Sequence, residues 1–214
     1  KYLSENRVVF PDGGIFSVER LQTLGLSFGG SGGTDEIHRL ISKLAWDLEL
    51  RGSFTYSVLQ EVQNSYSFDT NPIYFLFQEA IYQDSYPRST FWSADRLRYL
   101  LENSAFVYDA SDPESQPLYF TGEMVYKSMV DDYLQLRPVK DLANWLHSNT
   151  DWSKLYDTEV LEGLTWDKVK IVAATYVYDQ YVDFDVSMHV KKEVFKGNGN
   201  LKQYVTSEFF HNGL

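Results

Sequence analysis

Apolar positions along the first hundred residues recur at helical rather than strand spacing. Arg7-Val8-Val9-Phe10 is a short apolar run closed by the turn signal Pro11-Asp12-Gly13-Gly14. Ser17 then stands where a cap belongs, ahead of a helical pattern through Val18 and Leu21. The glycine-rich segment Gly29-Gly30-Ser31-Gly32-Gly33 breaks that helix, and Thr34 is placed to cap the next one. There Ile37, Leu40, Ile41, Leu44 and Leu48 lie on one face. Tyr56, Leu59, Val62 and Gln63 mark a third helix. A fourth begins at Asn71-Pro72, with proline in the first turn, and runs through Glu79, Ala80 and Ile81. A fifth covers Ala94 to Leu100.

The pattern changes after about residue 105. Leu118 to Gly122 reads as a short strand or the approach to a loop, and Asp141 to His147 as a short amphipathic helix. Val169 to Val177 is the best candidate for a buried strand in the sequence. An acidic loop, a helix from Ser187 to Phe195, a turn at Gly197-Asn198-Gly199-Asn200 and a strand from Lys202 to Thr206 follow. Two or three strands do not make a self-sufficient α/β sheet, so the pattern points to part of a larger sheet.

Composition narrows the chemistry. The 214 residues carry a formal net charge of −11, and no basic cluster exceeds Lys191-Lys192. Nucleic-acid binding through phosphate neutralisation needs a basic face, so no nucleic-acid partner is expected. An acidic surface favours cationic ligands such as amines. Cysteine is absent, which excludes disulfides, zinc–thiolate sites and thiol nucleophiles. No cofactor or metal is expected. No apolar run is long enough to span a bilayer, so no membrane partner is expected and the cytoplasm is the expected location. Aromatic residues reach 16%, which suits packed cores and small-molecule pockets alike.

Gly25-Leu26-Ser27-Phe28-Gly29 matches the G-x-S-x-G pattern of a nucleophile elbow. That elbow requires a buried strand immediately before the serine. Here an amphipathic helix precedes it and further glycines follow, so Ser27 is expected to lie in a helix-ending loop. A phosphate-binding loop fits less well, because no Gly-Lys-Ser/Thr follows.

Several segments read in order carry a resemblance. They are Phe10-Pro11-Asp12-Gly13, Arg20-Leu21-Gln22-Thr23-Leu24-Gly25, Phe68-Asp69-Thr70-Asn71-Pro72-Ile73-Tyr74 and Gln78-Glu79-Ala80-Ile81-Tyr82. Phe120-Thr121-Gly122-Glu123-Met124-Val125, Leu136-Arg137-Pro138 and Leu155-Tyr156-Asp157 continue the series. It ends with Tyr178-Asp179-Gln180-Tyr181-Val182-Asp183 and His211-Asn212-Gly213-Leu214. Together they resemble the larger proline iminopeptidases of the α/β-hydrolase superfamily, over the second half of that family's length. The resemblance implies an α/β-hydrolase fragment. A mainly helical cap spans residues 1–115, or extends to about 165, and residues 116–214 hold the last strands and helices of the sheet. It further implies that the serine nucleophile lies upstream, in the missing N-terminal half, and that Ser27 is a cap residue.

Within that resemblance Asp179, just after the strand candidate, is the expected catalytic acid. A solvated loop acid is the alternative, since Asp183 and Asp185 lie close by. His211 is the expected general base, completing the order Ser…Asp…His. His38, His147 and His189 fall within helical patterns and read as structural. The implied activity is release of N-terminal residues, preferentially proline, from peptides through an acyl-enzyme. The expected partner is therefore a peptide with a free N-terminus. Glu79 and Glu123 are the candidates for binding its ammonium group. For each, a helix cap, a buried ion pair with Arg96 or Arg98, or a plain surface position is the alternative. A non-catalytic helical module that binds peptides or proteins, and an esterase-type α/β-hydrolase, are the other functional readings.

Overall fold

The computed structural model describes residues 1–65, 68–84, 87–113, 117–196 and 199–213. Along the chain run α1 (Tyr2–Glu5), α2 (Val18–Gln22), α3 (Gly33–Arg51), α4 (Tyr56–Ser65), α5 (Pro72–Phe77) and α6 (Ser93–Leu97). Then come α7 (Met129–Asp132), α8 (Lys140–Ser148), α9 (Thr158–Glu162), β1 (Ile171–Tyr176), α10 (Phe184–His189) and β2 (Leu201–Thr206). Short 3-10 turns join several of them. The chain divides into two compact units, one of Lys1–Ser27 with Asp35–Ser153, the other of Phe28–Thr34 with Lys154–Leu214.

The first unit is helical. Ser17 caps α2 by accepting from the N–H of Arg20 at 3.0 Å. α3 buries Ile37, Leu40 and Leu44 and exposes Trp46, the one-sided pattern expected from the spacing. It begins at Gly33, so Thr34 lies inside the first turn rather than capping it. α5 starts as anticipated, with Pro72 in its first turn and the Asn71 side chain accepting from the N–H of Tyr74. It ends at Phe77, however, and Ala80–Tyr82 form a separate 3-10 turn. The fifth helix is also shorter than expected, because Arg98 already caps α6. Leu118 to Gly122 forms no strand. The N–H of Tyr119 donates to the carbonyl of Ala105 and that of Thr121 to the carbonyl of Gln22, so the segment is an extended connector.

Phe68, Phe75, Trp92, Val125, Met129, Tyr133, Leu136 and Ala143 form the core of this unit, with Phe75, Val125 and Leu136 wholly buried. Each such apolar side chain contributes about 1.5–3 kcal/mol by leaving water. Arg20, itself buried, runs through this region between two rings. Its guanidinium lies 4.4 Å from the Phe10 centroid and 3.9 Å from that of Tyr133. It donates to the carbonyl of Asp132 at 3.0 Å and faces Asp69 at 3.7 Å.

The second unit holds a two-stranded parallel sheet, β1 beside β2, with Ile171 opposite Leu201 and Tyr176 opposite Thr206. A crossover containing α10 links the strands, as parallel pairing requires. α10 starts at Phe184, three residues ahead of the expected helix, because the Asp183 side chain caps it by accepting from the N–H of Val186. It continues as a π-helix over Val190–Val194. The Gln203 amide donates to the carbonyl of Ser187, holding β2 to that helix. β1 is shorter and more open than its apolar sequence suggests: Val172 is 72% exposed. The helix packs against one face of the two strands, and on the other face Trp166 lies against Lys202 while Val172 stays open. Half of the expected turn, Gly197-Asn198, lies outside the described residues, as does Leu214.

The described architecture is therefore mainly helical with a small parallel sheet, compatible with part of an α/β-hydrolase.

Candidate active site

Parallel pairing decides where the second unit carries its chemistry. Because β1 and β2 run the same way in register, the loops leaving their C-terminal ends emerge at one edge. The N–H of Val177 still bonds the carbonyl of Thr206, extending the pairing one step beyond β1. Asp179 stands three residues after β1 and His211 five residues after β2. The structure brings these two together: Nδ1 of His211 lies 3.0 Å from Oδ2 of Asp179.

The other carboxylate oxygen is tied to backbone. Oδ1 of Asp179 accepts from the N–H of Tyr181 at 2.8 Å and of Val182 at 2.9 Å. Burial of the carboxyl acts to raise its pKa, but the Val182 N–H, the imidazole of His211 and the Tyr181 N–H together outweigh it. The group is held below the ordinary carboxylate range. An ionised carboxylate can only accept, so Nδ1 carries the hydrogen; in a neutral imidazole this tautomer leaves the lone pair on Nε2. The Asp179 side chain is 6% exposed and that of His211 47%, so the acid is enclosed and the imidazole reaches solvent. Asp183 and Asp185, the neighbouring acids, belong to α10 as its cap and first-turn residue.

Two further contacts flank His211 in this unit, one to its ring and one to the residue that follows it. The Tyr181 ring meets it edge to face, with centroids 4.8 Å apart at 87°. The Asn212 side-chain oxygen accepts from the N–H of Ser31 at 3.1 Å and from its hydroxyl at 3.3 Å. Neither Tyr181 nor Ser31 was marked by sequence reasoning as part of the site. The available signal was an overlapping second match to the elbow pattern, Gly29-Gly30-Ser31-Gly32-Gly33.

Ser27 sits in the 3-10 turn Thr23–Gly29, directly after α2. No strand precedes it, so the strand-to-helix elbow that makes a serine nucleophilic is not formed around it.

Glu79 and Glu123 lie in the first unit. Glu79 is 8% exposed and both its oxygens are engaged. They accept from the N–H groups of Ser93 and Ala94, each at 3.1 Å, and face Nδ1 of His147 at 3.1 Å. Trp92, the residue before α6, has φ 54° and offers no side-chain cap, so Glu79 satisfies the open N–H groups of that helix from a distant part of the chain. Burial acts to raise its pKa; His147 and the two backbone donors lower it further and prevail. His147 is stacked on Trp92 at 3.6 Å and bonds the hydroxyl of Thr90, a packed core position as expected. His38 and His189 are exposed on their helices.

Glu123 is half-buried and accepts from the hydroxyl of Tyr74, while its carbonyl accepts from the Gln78 amide at 2.9 Å. It lines a cavity of about 900 Å³ with Asp12, Asp69, Asn71, Tyr74 and Gln135. Three carboxylates and no lysine or arginine stand among the described lining residues, so the cavity favours a cationic group. Among the described residues, no group of three or more His, Asp or Glu side chains is placed to hold a metal ion, and no helix is long and apolar enough to cross a membrane.

No family model matches the chain. Two curated proteins do. A proline iminopeptidase of Aeromonas sobria is 32% identical over 213 residues, covering 100% of this chain and 46% of that protein. The proline iminopeptidase aneH of Aspergillus aculeatus is 31% identical over 214 residues, again covering 100% of this chain and 44% of that protein. The chain spans a little under half the length of both. Matched from end to end by each of them, the chain is a relative of the proline iminopeptidases, corresponding to part of the length of its curated members.

Proposed function

We propose that this chain is part of an α/β-hydrolase that releases N-terminal residues, preferentially proline, from peptides through an acyl-enzyme. Its second unit supplies the catalytic acid Asp179 and the general base His211. Its helical first unit acts as the cap that reads the substrate amine. The observation that carries this reading is the 3.0 Å contact between Asp179 and His211 at the shared edge of two parallel strands. The names of the two relatives supply the substrate class.

In this scheme a serine outside these 214 residues attacks the carbonyl of the first peptide bond and passes its proton to Nε2 of His211. Asp179 holds the Nδ1 hydrogen and stabilises the imidazolium without taking the proton. The imidazolium then protonates the leaving amine, and a water activated by the freed imidazole hydrolyses the acyl-enzyme. Of the two glutamates, Glu123 supports amine recognition directly, since it lies in an acid-lined cavity large enough for a terminal residue. Glu79 supports it at one remove, as its oxygens hold α6 and His147 in place.

The test is hydrolysis of a proline arylamide. The 214-residue chain alone is expected to give no turnover, and joining it to the rest of the length seen in its relatives to restore it. In that longer protein, Asp179→Asn and His211→Ala should each cut turnover on the order of 10³-fold or more. Normal activity in both variants overturns the assignment.

A further inference from the structure

His211 is half exposed, so packing alone does not immobilise its ring. A long-lived hydrogen bond to Asp179 therefore needs something else to limit the imidazole's rotation, because ordering a solvent-facing side chain has an entropic cost. The second unit contains such a restraint in the segment Phe28–Thr34.

Tyr181 meets both that segment and His211. Its ring and the imidazole are in edge-to-face contact. The backbone of Gly29 approaches the same ring so closely that a Cβ at this position would sit 2.2 Å from Tyr181 Cζ and 2.7 Å from its hydroxyl oxygen. A side chain there would push the Tyr181 ring away, so glycine is the residue that lets the ring seat against the segment. Two residues on, Ser31 anchors Asn212, the neighbour of His211, through both its N–H and its hydroxyl. The backbone N–H of Tyr181 also donates to Asp179. One residue thus holds the acid through its backbone and borders the base through its ring.

We infer that Tyr181, seated against Gly29, is a positioning residue that keeps the imidazole of His211 on Asp179, with the Ser31–Asn212 contact as a second tether. The inference rests on the reading of Asp179 and His211 as an acid–base pair. It assigns no bond-making role to Tyr181, Gly29 or Ser31.

The test is the tautomer of neutral His211, read from imidazole 15N chemical shifts in the full chain. Held by Asp179, His211 is expected in the Nδ1–H form, whereas an untethered imidazole prefers Nε2–H. Tyr181→Ala and Gly29→Ala should each lower the Nδ1–H to Nε2–H ratio several-fold. Tyr181→Phe, which keeps the ring, should leave it unchanged. Asn212→Ala removes an exposed tether at little risk to folding and should lower the ratio to a smaller extent. If Asp179→Asn abolishes the Nδ1–H preference while Tyr181→Ala, Gly29→Ala and Asn212→Ala all preserve it, the pair stands and the positioning role is overturned. If the unmodified chain shows no Nδ1–H preference and Asp179→Asn changes nothing, the acid–base pair itself fails, and this inference with it.

Discussion

Asp179 divides its two carboxylate oxygens between backbone and base: Oδ1 takes the N–H groups of Tyr181 and Val182, and Oδ2 faces Nδ1 of His211 at 3.0 Å. The acid is thus oriented by its own loop before it orients the imidazole. Under the proposed function, that arrangement suits a group that fixes a tautomer rather than exchanging a proton.

Replacing Asp179 with Asn should therefore harm catalysis far more than binding. Asparagine can turn an N–H toward Nδ1, which stabilises the wrong tautomer. In an active protein containing this chain, kcat should fall on the order of 10³–10⁴-fold with KM little changed. Steady-state kinetics on a proline arylamide would show it. An equal loss through KM alone would argue for a substrate-binding role instead.

Glu79 should behave as a structural carboxylate. Its folded pKa lies below the ordinary value, so its contribution is present above about pH 4.3, the unfolded value. It is lost as pH falls through the lower folded value. Glu79→Gln replaces the charged acceptor of the Ser93 and Ala94 N–H groups and of His147 by a neutral one, and should cost about 1–3 kcal/mol at pH 7. Urea unfolding of the variant beside the unmodified chain measures this. The difference should shrink as pH falls below about 4.3, where the unfolded carboxyl takes up a proton before the folded one does.

Asp132 has the opposite sign. Burial raises its pKa to about 6, with Glu19 and Asp131 adding to the rise and the Ser17 hydroxyl and Arg20 opposing it. A folded value above the unfolded one gives stability that is full below about pH 3.9 and lost as pH rises through about 6. Asp132→Asn keeps an acceptor for Ser17 without the buried charge. It should stabilise the chain by about 1–3 kcal/mol at pH 8 and change little at pH 4. Thermal unfolding at the two pH values separates the cases; equal effects at both would contradict the burial argument.

Two aromatic residues provide a packing contrast. Phe75 is fully buried in the first unit, and Phe75→Ala should cost about 3–5 kcal/mol. Trp46 is 62% exposed on α3, and Trp46→Ala should stay within about 0.5 kcal/mol. Chemical denaturation ranks them directly.

Helix positions were readable from local pattern where one residue carries the signal. Ser17 ahead of α2, Asn71-Pro72 ahead of α5 and the Ile37–Leu40–Leu44 face of α3 each combine a cap or a periodicity with a matching structure. Helix ends were less readable. α10 starts early because Asp183, one of several acids in that stretch, turns out to be its cap. The exposure of Val172 was not legible at all, since an apolar strand sequence records what a strand can bury, not what covers it.

The residues by themselves determined a mostly helical chain, its change of texture after about residue 105 and the two strand segments, while the candidate pair Asp179 and His211 came from the family resemblance. The residues also marked Ser27 as lacking a strand before it. Only the tertiary structure decided that β1 and β2 pair in parallel, which places two loops 32 residues apart at one edge and so brings Asp179 to His211. It alone separated the two glutamates, one consumed in capping α6 and pairing with His147, the other lining an acid-rich cavity. The reason is physical. Caps and periodicity act over a few residues, whereas the partners of a carboxylate are chosen by whatever distant donors the fold carries within about 3 Å of it.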